Sequence, residues 1–125
     1  MTPEWVPQAA VIAIHDRQIS RHGGPPGVRD RALLEAGLAR PLNRFQYGEL
    51  DLHNLAAHHA YSVVKAHAFV DGNKRTGFVT AITFLMLNAV RFQAPALEVV
   101  RNMEGLASAD ISEDAFAHWL RDNSA

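Results

Sequence analysis

His67-Ala68-Phe69-Val70-Asp71-Gly72-Asn73-Lys74-Arg75-Thr76 joins two segments of helical periodicity. Upstream, Asp51 opens a helix in which Leu52, Leu55, His59, Val63 and Ala66 recur at three- and four-residue steps. Downstream, a second helix starts near Asn73, with Phe78, Ile82, Leu85, Met86 and Ala89 along one side. Helix, tight loop, helix is therefore the centre of the fold.

Working outward, Thr2-Pro3 reads as a helix start, with Thr as cap and Pro in the first turn. Trp5, Val6, Ala9, Ala10, Ala13 and Ile14 then follow at helical spacing, and the pattern fades near Ser20. The run His22-Gly23-Gly24-Pro25-Pro26-Gly27 is a turn region. Asp30 caps a short helix to Ala39, with Leu33, Leu34 and Leu38 inward and Pro41 as its stop. Residues 41–50 lack a period, and Leu42, Phe45, Tyr47 and Gly48 suit an extended arm or small hairpin. A weaker helix covers 96–107. Ser112 caps a last one, with Glu113 and Asp114 at its positive end and Phe116, Trp119 and Leu120 as its inner stripe. The expectation is an all-α domain of about six helices with one irregular arm.

The totals agree with one domain: 125 residues, 48% hydrophobic and 20% charged. A net charge of −1 supplies no basic field for nucleic acid. The absence of cysteine excludes disulfides, thiolate metal sites and a cysteine nucleophile. No apolar run approaches the ~20 residues of a membrane span. Met1-Thr2-Pro3-Glu4-Trp5 lacks the pattern of a secretory signal. The reading is a cytoplasmic protein.

The loop carries the chemistry. A helix starting near Asn73 points free N–H groups and a positive dipole end into the loop, which suits an anion. Gly72 lets the backbone approach a ligand. Lys74 and Arg75 sit on the first turn, where helices ordinarily favour acids. Two cations there call for an anion such as phosphate. The chain has only two lysines, so Lys74 is not background usage. Asp71 is the carboxylate that Mg2+ takes alongside water and substrate phosphates. His67 is the loop's proton acceptor near neutral pH and suits a Ser, Thr or Tyr hydroxyl. Phe69 reads as an anchor beneath the loop. Taken singly, His67 is a helix cap, Asp71-Gly72-Asn73 a turn and Lys74-Arg75 a solvated patch. Their coincidence within one loop is what points to function.

Rival motifs fail. Gly72 and Gly77 lack P-loop order, and no Gly-x-Ser-x-Gly elbow occurs. His53, His58 and His59 do not form His-Glu-x-x-His and read as packing residues with partial exposure. His15-Asp16, Arg17 and Arg21 read as a polar helix face, with a functional role as the alternative.

The stretch His67 to Arg75 resembles the active loop of the Fic/Doc superfamily, closest to its Doc (death-on-curing) toxins. Ile14-His15-Asp16, His22-Gly23-Gly24, Gly27, Asp30 to Pro41 and Phe45 to Tyr47 extend the resemblance over nearly all of 1–125. It implies an all-helical Fic fold, with His67 as base and Asp71 on magnesium. It also implies that Gly72, Asn73, Lys74 and Arg75 hold the nucleotide phosphates of ATP. Residues 41–50 would match the flap that positions the target segment. AMP-transferring Fic enzymes have Gly at the place of Lys74 and a second Arg at the place of Phe78. The Doc-like branch shares the Lys, and its members are kinases that phosphorylate a threonine of elongation factor Tu. The resemblance therefore implies γ-phosphoryl transfer to a protein hydroxyl and arrest of translation. AMP transfer is the alternative, and a non-catalytic binding module a second one. Many Fic proteins carry an inhibitory Ser/Thr-x-x-x-Glu-Gly or -Asn helix. Here the one Glu-Gly, Glu104-Gly105, follows Val100 at the fourth place before Glu104. That implies a separate antitoxin chain as partner.

Overall fold

The structure is a computed structural model that describes residues 2–125. Six helices form among them: α1 (Gln8–His22), α2 (Arg31–Gln46), α3 (Leu52–Ala66), α4 (Asn73–Leu87), α5 (Ala96–Ser108) and α6 (Glu113–Asp122). None is long and apolar enough to cross a membrane. The expected all-α fold of about six helices is what forms.

The centre is α3, which packs against α2, α4, α5 and α6, while α1 lies on α4. From Leu55 to Ala60 every residue of α3 is buried. A stretch covered on every side lies in the middle of a domain, and here it includes His58 and His59 beside Leu55, Ala56, Ala57 and Ala60. Three caps read from sequence are made: Asp30 Oδ1 accepts from Leu33 N–H at 3.1 Å, Asp51 Oδ1 from Asn54 N–H at 3.0 Å and Ser112 Oγ from Ala115 N–H at 3.1 Å.

Other expectations are corrected. Helix α1 begins at Gln8, not at Thr2-Pro3. Pro7 lacks an N–H and holds Val6 extended, so a helix begun at Thr2 cannot run through it. Pro7 instead stands at the start of α1, and its carbonyl accepts from Ala10 and Val11. Residues 2–6 run alongside the core. Val6 is buried, Trp5 packs on Phe45 and Phe84, and Glu4 is bonded to Asn88. The inner face of α1 is correspondingly Val11 and His15, while Ala9 and Ala13 are exposed.

Pro41 does not stop α2, which continues to Gln46. Proline inside a helix costs ~3 kcal/mol. Here Leu34, Leu38 and Pro41 form a buried stripe, and Phe45 meets Trp5 edge-on at 5.7 Å. That packing against α3 and the N-terminal segment outweighs the missing N–H. The expected hairpin over 41–50 is therefore absent. Residues 41–46 are helical, and Tyr47–Leu50 alone form the turn into α3.

The inward face of α4 also differs from the expected stripe. Of that stripe Leu85 is buried and Phe78 and Ile82 pack on the core, but Thr76, Gly77, Thr80, Ala81 and Phe84 are buried as well, whereas Met86 is exposed and Ala89 lies beyond the helix. A Cβ on Gly77 would meet Ala60 O and Val64 Cγ2 at 3.0 Å, so the small side brings α4 close to α3. That close approach fixes the spacing of the two helices that frame the loop. His53 keeps the expected partial exposure, while His58 and His59 are more buried than expected. His58 Nδ1 pairs with Glu113 Oε2 at 2.6 Å, and His59 packs between Trp5 and Phe84.

Candidate active site

The loop between α3 and α4 is short because both helix ends take left-handed residues. His67 closes α3 at φ 49°, and Gly72 opens α4 at φ 76°. Glycine adopts this freely, while histidine is strained there. A neighbouring segment holds the strained residue. Arg29 N–H and Asp30 N–H donate to Ala68 O at 2.6 and 3.0 Å, and Val70 N–H donates to Gly27 O at 3.1 Å. Val28 and Phe69 form an isolated antiparallel bridge. The Arg29 side chain donates to the His67 carbonyl. The Gly-Gly-Pro-Pro-Gly turn thus ends in a strap across the loop.

Inside the loop, Phe69 is fully buried, as its expected anchoring role requires. The Asn73 amide closes the loop on itself. Its Oδ1 accepts from Phe69 N–H at 3.2 Å, and its Nδ2 donates to Phe69 O at 3.0 Å. Asn73 is only 7% exposed, so its side chain braces the loop and its backbone N–H remains for a ligand. The first helical bond of α4 runs from Thr76 N–H to Gly72 O at 3.0 Å. The N–H groups of Asn73, Lys74 and Arg75 therefore lack a carbonyl within the helix.

His67, Asp71, Gly72, Asn73, Lys74 and Arg75 all line one cleft of about 990 Å³. That volume lies at the upper end of the ~300–1,000 Å³ typical of small-molecule sites. The first turn of α4 and the loop form its polar end. Val64, Phe78, Val79, Val99, Val100 and Met103 form an apolar wall. His67, Asp71, Lys74 and Arg75 are exposed, and no ion pair among the described residues involves them. Two unpaired cations at the positive end of a helix give the cleft an anion-attracting end. One unpaired carboxylate beside them fits magnesium, which takes one or two carboxylates and completes its shell with phosphate and water.

Phe78 stands half-buried at the edge of this cleft and meets Phe92 edge-on at 5.8 Å. The position offers an aromatic face and no charge. Two residues outside the loop also hold it. His15 is buried, not part of a polar face, and its Nε2 lies 2.7 Å from Asp71 O. Arg29 belongs to no motif. Its only sequence signal is its place beside Asp30, the cap of α2.

A Fic/DOC family model matches residues 5–85. The chain belongs to the Fic/Doc family. Over 113 residues it is 38% identical to "Protein kinase doc" of Escherichia phage P1, covering 89% of this chain and 88% of that one. It is 45% identical over 105 residues to "Toxin Doc" of Mycolicibacterium smegmatis, 78% of each chain. "Protein adenylyltransferase Fic" of Drosophila persimilis is 42% identical over 62 residues, which cover 50% of this Fic/Doc chain but only 12% of the fly protein.

Proposed function

We propose that this chain is a Doc-type toxin that transfers the γ-phosphoryl group of ATP to a Ser or Thr hydroxyl of a translation protein. By family resemblance that protein is elongation factor Tu, and the site of action is the cytoplasm. The observation that carries the proposal is the shared cleft. His67, Asp71, Lys74 and Arg75 open into it together at the start of α4.

In this reading the free N–H groups of α4, with Lys74 and Arg75, take the phosphates and offset charge that shifts during transfer. Asp71 would hold magnesium, which when bound would neutralise phosphate oxygens. Gly72 supplies the left-handed turn into α4, and its missing Cβ makes room for His15 and Ile19 of α1 instead of the expected ligand, while Asn73 keeps the loop shut. His67 accepts the proton of the target hydroxyl. The hydroxyl oxygen bonds to the γ-phosphorus, the bridging P–O bond breaks, and ADP leaves. The apolar wall suits the nucleoside or a hydrophobic part of the target.

Phosphoryl transfer is favoured over AMP transfer by two positions. By the family resemblance, AMP-transferring enzymes have Gly at the place of Lys74 and a second arginine at the place of Phe78; here the first position carries a cation and the second an uncharged ring at the cleft edge. A toxin of this kind requires a separate antitoxin chain, and that partner is part of the proposal. The test is incubation of the purified protein with ATP, Mg2+ and a whole-cell extract, followed by mass spectrometry of the modified protein. A gain of one phosphate is expected. A gain of one AMP would establish the adenylyltransferase reading, and no modification would return the chain to a binding module.

A further inference from the structure

The imidazole of His15 is 0% exposed, yet the chemistry above makes no use of it. Its Nε2 lies 2.7 Å from the carbonyl oxygen of Asp71. A carbonyl only accepts, so Nε2 carries the proton and donates it. Nδ1 is buried without a partner among the described residues, and the nearest carboxylate oxygen, on exposed Asp16, is 3.9 Å away. The Phe69 ring stacks on the imidazole with centroids 3.9 Å apart and planes 9° from parallel. A Cβ on Gly72 would stand 3.7 Å from its Cδ2 and Nε2. Residues 69, 71 and 72 of the loop are thus wrapped around one ring supplied by α1.

The Asp71 carboxylate has no hydrogen bond or ion pair of its own among the described residues. Its direction comes from its backbone and from Gly24, where an added Cβ would lie 2.5 Å from Asp71 Oδ2. We infer that His15 is a positioning residue. By holding the Asp71 peptide it aims the carboxylate into the cleft and sets the orientation of the first N–H groups of α4. A buried imidazole with one spare nitrogen is a costly choice for filler. Its donor is the feature that an apolar side chain of the same size could not supply. The inference rests on the reading of Asp71 as the magnesium ligand.

The test compares His15→Gln with His15→Asn. Both carry an amide, so a general cost of altering the core is shared. Only the Gln amide reaches the place of Nε2. The first readout is Mn2+ binding in the presence of a non-hydrolysable ATP analogue, followed by electron paramagnetic resonance. His15→Asn is expected to weaken Mn2+ binding by about tenfold, the scale of one hydrogen bond. His15→Gln should stay near wild type. The second readout is amide exchange without ligand. His15→Asn should speed exchange at Val70 and Thr76, and His15→Gln should restore protection. Wild-type affinity and protection in His15→Asn would overturn the inference, as would equal losses in both variants. Asp71→Asn is the control. If it binds Mn2+ as wild type does, the metal reading of Asp71 fails, and the exchange comparison alone then decides the role of His15.

Discussion

The guanidinium of Arg29 donates to the carbonyl oxygen of His67, from Nε at 3.2 Å and also from Nη2. The acceptor belongs to a non-glycine residue held at φ 49°. A residue in that region costs of order 1–3 kcal/mol and persists only where its surroundings hold it. The strap that precedes α2 therefore holds the backbone from which the proposed base projects.

Replacement of Arg29 removes a hydrogen bond from a charged donor, worth ~1.5–3 kcal/mol. Arg29→Ala should lower kcat for transfer by about tenfold to a hundredfold, at about 1.4 kcal/mol for each factor of ten. KM for ATP should change little, because Arg29 is not among the residues lining the cleft. Arg29→Lys keeps the charge but loses the fork and should fall between. Unchanged kcat in Arg29→Ala would mean that the helix end alone holds His67.

His67→Ala tests the base itself. The His67 ring is exposed and has no hydrogen-bond partner among the described residues, so its loss should leave the melting temperature nearly unchanged. Transfer should fall by ~10²–10⁴, the usual contribution of a general base. A folded His67→Ala protein that keeps full activity would remove His67 from the mechanism.

Asn73 separates bracing from phosphate binding. Its amide satisfies both the N–H and the C=O of buried Phe69. Asn73→Ala would leave both unpaired, at ~1–3 kcal/mol per buried group. Urea unfolding should therefore show a loss of at least about 1 kcal/mol along with lost activity. A variant as stable as wild type but with raised KM for ATP would instead place the side chain on the phosphates.

What the sequence made legible follows the range of each signal. Asp30, Asp51 and Ser112 act on backbone three residues away, so their caps read correctly. The loop also reads well, because its groups are neighbours in the chain. Pro41 misleads because the penalty is local while the compensation, from Phe45 on Trp5, is not. The inner face of α4 is hidden because Thr76, Gly77, Thr80 and Ala81 carry little hydropathy. They are chosen for closeness to α3. His15 and Arg29 lie 56 and 38 residues from the carbonyls they hold, beyond any periodicity. A faint sign of His15 was available, since it lies one turn after Val11 on the buried side of α1.

Stability should fall on acidification in two separable steps. Burial, with neighbouring His58 adding to it, pushes the His59 imidazole down from 6.5 to about 3. The unfolded chain takes up that proton as pH drops below 6.5, and the folded protein does not. Stability is therefore lost from pH 6.5 down to about pH 3, with a limiting slope of ~1.4 kcal/mol per pH unit from this group. Glu113 acts lower. Burial opposes its ionisation, but hydrogen bonds from His58 and Arg40 and the Arg40 charge win, holding it at about 2 against 4.5. Its contribution is complete above pH 4.5 and disappears as pH falls toward 2. Between pH 6.5 and 4.5 the slope belongs to His59, with His53, which burial also holds below 6.5, adding to its upper part; His59→Leu should therefore reduce it there, while Glu113→Gln should leave it in place. Thermal unfolding across pH 7 to 4 checks this. An equally steep fall in His59→Leu would assign the proton uptake to another group.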